Sequence, residues 1–127
     1  MEDKQRILII DDDPLIARMY ENKLKVDGYD VDVAVNGEEA LSRALHHRPD
    51  LIFLDIMMPK MNGVETLKHL KANTHTQDIP VIILTNLGDR EDDIEKAKEL
   101  GALDYLVKSK ISLKELSERT QKVLKGR

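Results

Sequence analysis

The stretch that decides the fold is Leu51-Ile-Phe-Leu-Asp55, four consecutive apolar residues followed by an acid. A strand covered on both faces is continuously apolar, whereas a strand with one face in water alternates. Similar short apolar runs occur at intervals along the chain. The five runs are Ile7–Ile10, Val31–Val35, Leu51–Leu54, Val81–Leu84 and Leu103–Val107. They predict a sheet between two layers, and Asp32 within the second run indicates a strand nearer an edge.

Helical spacing separates these runs, because apolar residues recur there every three or four positions. Helix-start signals are Asp13-Pro14 and the capping boxes Asn36–Glu39 and Ser112–Glu115. Gly28 and Gly101 fall where left-handed helix C-caps are expected. Strands that alternate with helices are parallel and joined by right-handed crossovers. The chain is therefore predicted to be α/β, a (βα)5 doubly wound five-stranded parallel sheet of flavodoxin-like order 2-1-3-4-5, with helices on both faces.

The composition bounds the class of protein. The chain has 127 residues, 41% of them hydrophobic, a formal charge of −4 and no cysteine. This size suits one domain, so we interpret 1–127 as a single domain with no output domain. The acidic balance does not favour direct nucleic-acid binding. No apolar run approaches the ~20 residues of a membrane span, and we expect a cytoplasmic protein.

Polar residues follow the apolar runs at the points where the predicted strands end. Asp11, Asp12 and Asp13 follow the first run, and Asp55, Thr85 and Lys108 follow the third, fourth and fifth. Ligands of open parallel sheets bind beyond the carboxyl ends of the strands. These side chains are therefore predicted to converge on one edge of the sheet.

Repulsion among the carboxylates at this edge favours the binding of a cation. Two carboxylates about 4 Å apart repel by roughly 4 kcal/mol at an effective dielectric near 20. Lys108 offsets part of the repulsion among Asp11, Asp12 and Asp55, and a hard divalent cation such as Mg²⁺ offsets the rest. A carboxylate beside such an ion can attack phosphorus and form an acyl phosphate.

At this point the chain resembles the response-regulator receiver domains of two-component signalling, in their single-domain, chemotaxis-regulator-like form. The resemblance covers nearly the whole chain. It rests on Ile7-Leu-Ile-Ile-Asp-Asp-Asp-Pro14, on Asp55-Ile-Met-Met-Pro59 followed by Asn62-Gly63, and on Thr85, Tyr105 and Lys108.

The resemblance implies a role for each matching residue. Asp55 would be the phosphoacceptor, and Lys108 and Thr85 would contact the phosphoryl group. Asp12 would bind Mg²⁺ directly, Asp11 mostly through water. The Met57 backbone carbonyl would be a further ligand. Thr85 and Tyr105 would form the switch, whereas Asp13 is interpreted as a helix cap.

The implied partners are a sensor histidine kinase or a histidine phosphotransfer protein as donor and an unknown downstream protein, with a homodimer also possible. The switched surface would be the fourth helix, fifth strand and fifth helix. No direct contact with nucleic acid or membrane is expected. The chain would catalyse only its own phosphorylation and dephosphorylation.

Three features depart from the family pattern. Ser109 follows Lys108 where the family usually has a cis proline, so either a strained cis bond is kept or the loop turns by another route. Asn86 replaces a smaller residue and could narrow access or bind the phosphoryl group. Met57 and Leu87 flank the path of the hydrolytic water, and two apolar side chains there predict a long-lived phosphorylated state.

Other classes of protein remain as alternatives. A receiver fold used only for docking, without phosphorylation, is the strongest of them, although it usually lacks the acidic pair or the lysine. A haloacid-dehalogenase-type hydrolase would need Asp-x-Asp-x-Thr after the first strand. A flavodoxin-like cofactor carrier would need a hydroxyl- or glycine-rich phosphate loop where Asp11–Asp13 stand.

Overall fold

The structure, a computed structural model, describes residues 4–57, 62–86 and 91–125. Five strands alternate with five helices, as predicted. The strands are β1 (Arg6–Ile10), β2 (Asp30–Ala34), β3 (Leu51–Asp55), β4 (Val81–Thr85) and β5 (Asp104–Val107). The helices are α1 (Pro14–Val26), α2 (Gly37–His46), α3 (Gly63–Ala72), α4 (Glu91–Glu99) and α5 (Leu113–Leu124).

The five strands form one parallel sheet in the order β2-β1-β3-β4-β5, which confirms the predicted topology. The strand interrupted by Asp32 is an edge strand, also as predicted. Ile10 is in register with Leu54, Asp55 with Leu84 and Thr85 with Val107. This register brings the carboxyl ends of the four strands β1, β3, β4 and β5 to one edge.

Two apolar layers cover the sheet because successive strand side chains point to opposite faces. The face with Leu8, Ile52 and Ile83 packs against α2, α3 and α4. The face with Ile9 and Phe53 packs against α1 and α5. Both faces of the central strands are thus buried, which is why those strands are continuously apolar. Every helix in the described parts of the chain is too short or too polar to cross a membrane.

Helix caps lie at the positions that the sequence predicts. Asp13 Oδ1 accepts from the Leu15 and Ile16 N–H groups at 3.0 and 3.4 Å, so its predicted capping role is confirmed. The side chains of Asn36 and Ser112 cap α2 and α5 by accepting from backbone N–H groups. The two predicted C-cap glycines have φ angles of +101° and +107°. Asn62 caps α3 in the same way, a role that the sequence analysis did not assign.

Gly63 lets α3 begin against the end of β3. Its N–H donates to the Ile56 carbonyl at 3.0 Å. A Cβ at position 63 would lie 2.5 Å from both the Asp55 carbonyl oxygen and Ile56 Cα. Because these are backbone atoms, they cannot yield by a rotamer change. Glycine at this position therefore keeps the chain around Asp55 in place.

We expect Gly63→Ala to destabilise the domain by about 1–3 kcal/mol, because the added methyl must displace the β3 or α3 backbone. Urea unfolding measures this free energy. Lys68→Ala, an exposed change on the same helix, is the control and should stay within about 0.5 kcal/mol of the parent. An unchanged unfolding midpoint for Gly63→Ala would contradict the close contact.

Candidate functional site

Five of the side chains predicted for the site lie at the carboxyl edge of the sheet. Asp11 follows β1, Asp55 ends β3, Thr85 ends β4 and Lys108 follows β5. Asp11, Asp55 and Thr85 are buried, whereas Asp12 is exposed. The convergence predicted from strand ends is confirmed.

Lys108 joins the two buried carboxylates. Its Nζ donates to Asp11 Oδ2 at 2.9 Å and to Asp55 Oδ2 at 3.2 Å, and its side chain is only 5% exposed. Each acid also accepts a backbone hydrogen bond: the Asp13 N–H donates to Asp11 Oδ1 at 2.9 Å and the Met57 N–H to Asp55 Oδ1 at 3.1 Å. One cation and two N–H groups therefore hold both carboxylates in place.

The pKa of Asp55 shows that this compensation is incomplete. Burial and the neighbouring charge of Asp11 raise the pKa of the Asp55 carboxyl to about 7, although Lys108 and the Met57 N–H lower it. Burial alone would lower the pKa of the Lys108 ammonium, but its hydrogen bond to Asp11 and the two negative charges raise it overall. With the three acids Asp11, Asp12 and Asp55 beside one ammonium, the site carries more formal negative charge than Lys108 can neutralise.

This excess charge fits a divalent cation. Carboxylate oxygens of Asp11, Asp12 and Asp55 lie within 4.8 Å of one another. Oxygen ligands are those that Mg²⁺ prefers, and the ion commonly keeps some of its water. Of the three acids, Asp12 is the one exposed to solvent. The carbonyl of Met57 remains a predicted ligand.

Thr85 and Tyr105, the two residues predicted to form a switch, make no hydrogen bond to Asp55 in the described structure. Thr85 Oγ1 donates to the Leu106 carbonyl at 3.4 Å, so the hydroxyl faces β5 rather than the carboxylates. Tyr105 lies on β5 with its side chain 38% exposed. Thr85 is in register with Val107, two residues beyond Tyr105 on β5, so the two residues lie near each other on the paired strands β4 and β5.

Two further residues that the sequence singled out are exposed to solvent. Met57 is 49% exposed, and Asn86 is exposed at the end of β4. Leu87, the second residue expected to limit water access, lies outside the described residues. The structure thus places Met57 and Asn86 close to the acids along the chain, and their effects on access remain predictions.

The loop after Lys108 turns without a cis bond, since none occurs among the described residues. The Lys108 N–H continues the β4–β5 ladder by donating to the Thr85 carbonyl at 2.7 Å. The N–H groups of Lys110 and Ile111 then both donate to the Val107 carbonyl. Of the two possibilities raised by Ser109, the loop therefore takes the second, a turn by another route.

Comparison with known proteins identifies the family of the chain. Residues 7–121 match the model of the response regulator receiver domain. The chain is 45% identical over 122 residues to "Probable transcriptional regulator ycf27" of Porphyridium aerugineum. The match covers 96% of this chain and 49% of that protein. It is 42% identical over 120 residues to the DNA-binding dual master transcriptional regulator RpaA of Synechocystis sp., covering 94% and 49%.

The chain spans about half the length of these curated relatives. Among solved structures, the chemotaxis protein CheY4 of Vibrio cholerae superposes with a TM-score of 0.87 at 30% identity, covering 96% of this chain and 100% of that one. The same architecture thus occurs both in longer regulators and as a separate chain.

We expect Asp55→Asn to stabilise the metal-free domain at pH 8 by on the order of 2 kcal/mol, because it removes a buried, incompletely compensated charge. The folded-state pKa of Asp55 is raised, so its ionisation penalises folding fully above about pH 7 and not below about pH 4. The gain should therefore shrink at pH 5. Urea unfolding in a chelator measures it, with Asp30→Asn, an exposed change, as control. A less stable Asp55→Asn at pH 8 would contradict the charge balance.

Proposed function

Since the chain belongs to the response regulator receiver domains, we propose that Asp55 accepts a phosphoryl group from a phosphohistidine donor. Receiver domains are the phosphorylation-controlled signalling domains of two-component systems. The observation that carries the proposal is the buried Asp55 carboxylate, held by Lys108 and surrounded by further acids. A site built only for docking has no need of this costly charge cluster.

The proposed reaction transfers phosphorus from nitrogen to oxygen. A carboxylate oxygen of Asp55 forms a bond to phosphorus while the bond to the donor imidazole breaks, and the product is an acyl phosphate. Lys108 contacts one oxygen of the transferred group, and the Thr85 hydroxyl contacts another. When bound by Asp11, Asp12, Asp55 and the Met57 carbonyl, Mg²⁺ supplies positive charge that offsets the acids and the phosphoryl group.

The proposed output is a change of surface. Thr85 must turn from the Leu106 carbonyl towards Asp55 to reach a phosphoryl group there. The Tyr105 ring, which now lies partly exposed on β5, would then repack. Phosphorylation would then shift a two-state equilibrium on the α4–β5–α5 surface, and this surface would bind a downstream protein or a second copy of the chain.

The proposal also covers the setting of the domain. The donor is a sensor histidine kinase or a histidine phosphotransfer protein, and the domain works in the cytoplasm. Its catalysis is confined to its own phosphorylation and dephosphorylation. The relatives' names describe transcriptional and DNA-binding regulators, but the acidic 1–127 segment itself is proposed to contact neither nucleic acid nor membrane. That no output domain accompanies it stays a prediction.

Acetyl phosphate with Mg²⁺ should add one phosphoryl group to the parent protein and none to Asp55→Asn, because only the aspartate carboxylate can attack phosphorus. Intact-mass spectrometry measures the adduct. Adding a chelator should suppress it in the parent. If the parent forms no Mg²⁺-dependent adduct, the docking-module alternative is favoured.

Replacing Met57 with Asn and Leu87 with Glu should speed phosphate loss by at least about tenfold, because polar side chains can orient the hydrolytic water that the apolar pair excludes. The decay of the phosphorylated mass over time gives the rate. Met57→Leu keeps the position apolar and serves as control, with an unchanged rate. An unchanged rate in the Asn/Glu variant would refute the long-lifetime hypothesis.

A further inference from the structure

Lys98 of α4 contacts the Tyr105 ring. Its Nζ lies 4.6 Å from the ring centroid, within the range of a cation–π interaction. Tyr105 is on the edge strand β5, and its ring is partly exposed to solvent. The ammonium therefore attracts the ring in its outward position, on the surface between α4 and β5.

A second contact ties the adjacent residue of the same strand to α5. Asp104 pairs with Arg119, and its Oδ1 also accepts from the Tyr105 N–H at 2.8 Å. This contact holds the backbone of β5, whereas the Lys98 contact acts on the Tyr105 ring itself. Of the two, only the Lys98 contact changes when the ring moves while the strand stays in place.

Thr85 completes the arrangement. Its hydroxyl donates to the Leu106 carbonyl, the residue after Tyr105, so it occupies the β5 side of the strand end. An outward Tyr105 ring and a Thr85 hydroxyl directed at β5 are compatible with each other. In the proposed function, the ring moves inward when Thr85 turns to Asp55.

We propose that Lys98 is a positioning residue that holds the Tyr105 ring outward and so sets the resting balance of the switch. The proposal rests on the proposed function in that Tyr105 is taken to move with Thr85. It adds a residue on a different helix, Lys98, which contacts neither Asp55 nor Lys108 in the described structure. Lys98 thereby opposes activation without taking part in phosphoryl transfer.

The expected size of the effect follows from the exposure of the pair. A cation–π contact at an exposed site, when lost, changes a two-state population ratio by about two- to fivefold. Removing the Lys98 ammonium should therefore raise the inward-ring population by that factor. An inward ring needs no ligand at Asp55, so the change should be present in unphosphorylated protein.

The test uses three variants of the full chain. Lys98→Met removes the charge and keeps an unbranched stem, and Lys98→Arg keeps a cation that can lie over the ring. Lys96→Met makes the same charge change at another exposed position of α4 and is the matched control. Relaxation dispersion on Thr85 and on a ring-labelled Tyr105 gives the minor-state population in each protein without phosphate.

Lys98→Met should raise the minor population about two- to fivefold, while Lys98→Arg and Lys96→Met stay near the parent. Equal populations in Lys98→Met and the parent would overturn the proposal. If no exchange is detectable in any protein, the rate of adduct formation with acetyl phosphate decides, and an equal rate in Lys98→Met and Lys96→Met overturns it. If the parent forms no adduct at all, the phosphoacceptor role of Asp55 is refuted instead. The dispersion measurement uses unphosphorylated protein and so does not depend on that role.

Discussion

The Lys108 ammonium lies between the buried carboxylates of Asp11 and Asp55, and the chemistry of the site depends on this arrangement. Without Lys108, two acids would face each other away from water, an arrangement that costs several kcal/mol. With Lys108, the acids can be buried but retain excess negative charge. A divalent cation bound there would offset this residual charge, and its positive charge would also favour a phosphoryl group, which is itself negative.

The scaffold supports this arrangement mainly through backbone contacts. The N–H groups of Asp13 and Met57 each fix one acid, so the chain that follows each strand also orients the carboxylate at its end. Gly63 brings the start of α3 against the Asp55 carbonyl, with Asn62 capping the helix. Thr85 and Tyr105, the two residues predicted to form a switch, lie on β4 and β5.

Much of this could be predicted from the sequence. The apolar runs located all five strands to within about a residue, and most clearly the central ones, because burial on both faces leaves no polar position inside those. The strand-end rule then brought Asp11, Asp55, Thr85 and Lys108 to one edge, since parallel register leaves little freedom there. Asp13 was recognised as a cap from its position before Pro14.

Contacts set by side-chain rotamers and by packing between distant elements could not be predicted in this way. The direction of the Thr85 hydroxyl and the position of Lys98 over the Tyr105 ring depend on how β4, β5 and α4 meet, and the close approach at Gly63 depends on how α3 meets the end of β3. The route of the loop after Lys108 was open for the same reason. The glycine that follows Asn62 is visible in the sequence, but the reason for it is seen only when the position of Ile56 is known.

The division of the core into two layers has a consequence for the order in which the domain can form. The layer under α2, α3 and α4 draws on residues up to about the start of β5, whereas the layer around Phe53 and Ile82 also needs Leu116 and Leu124 of α5. Gln5, near β1, even donates to the Leu124 carbonyl at 3.3 Å. During synthesis from the N-terminus, one side of the sheet can therefore close while the other still exposes apolar strand residues. The second layer is complete only when α5 packs against it, and without α5 the strand residues on that face would be open to solvent.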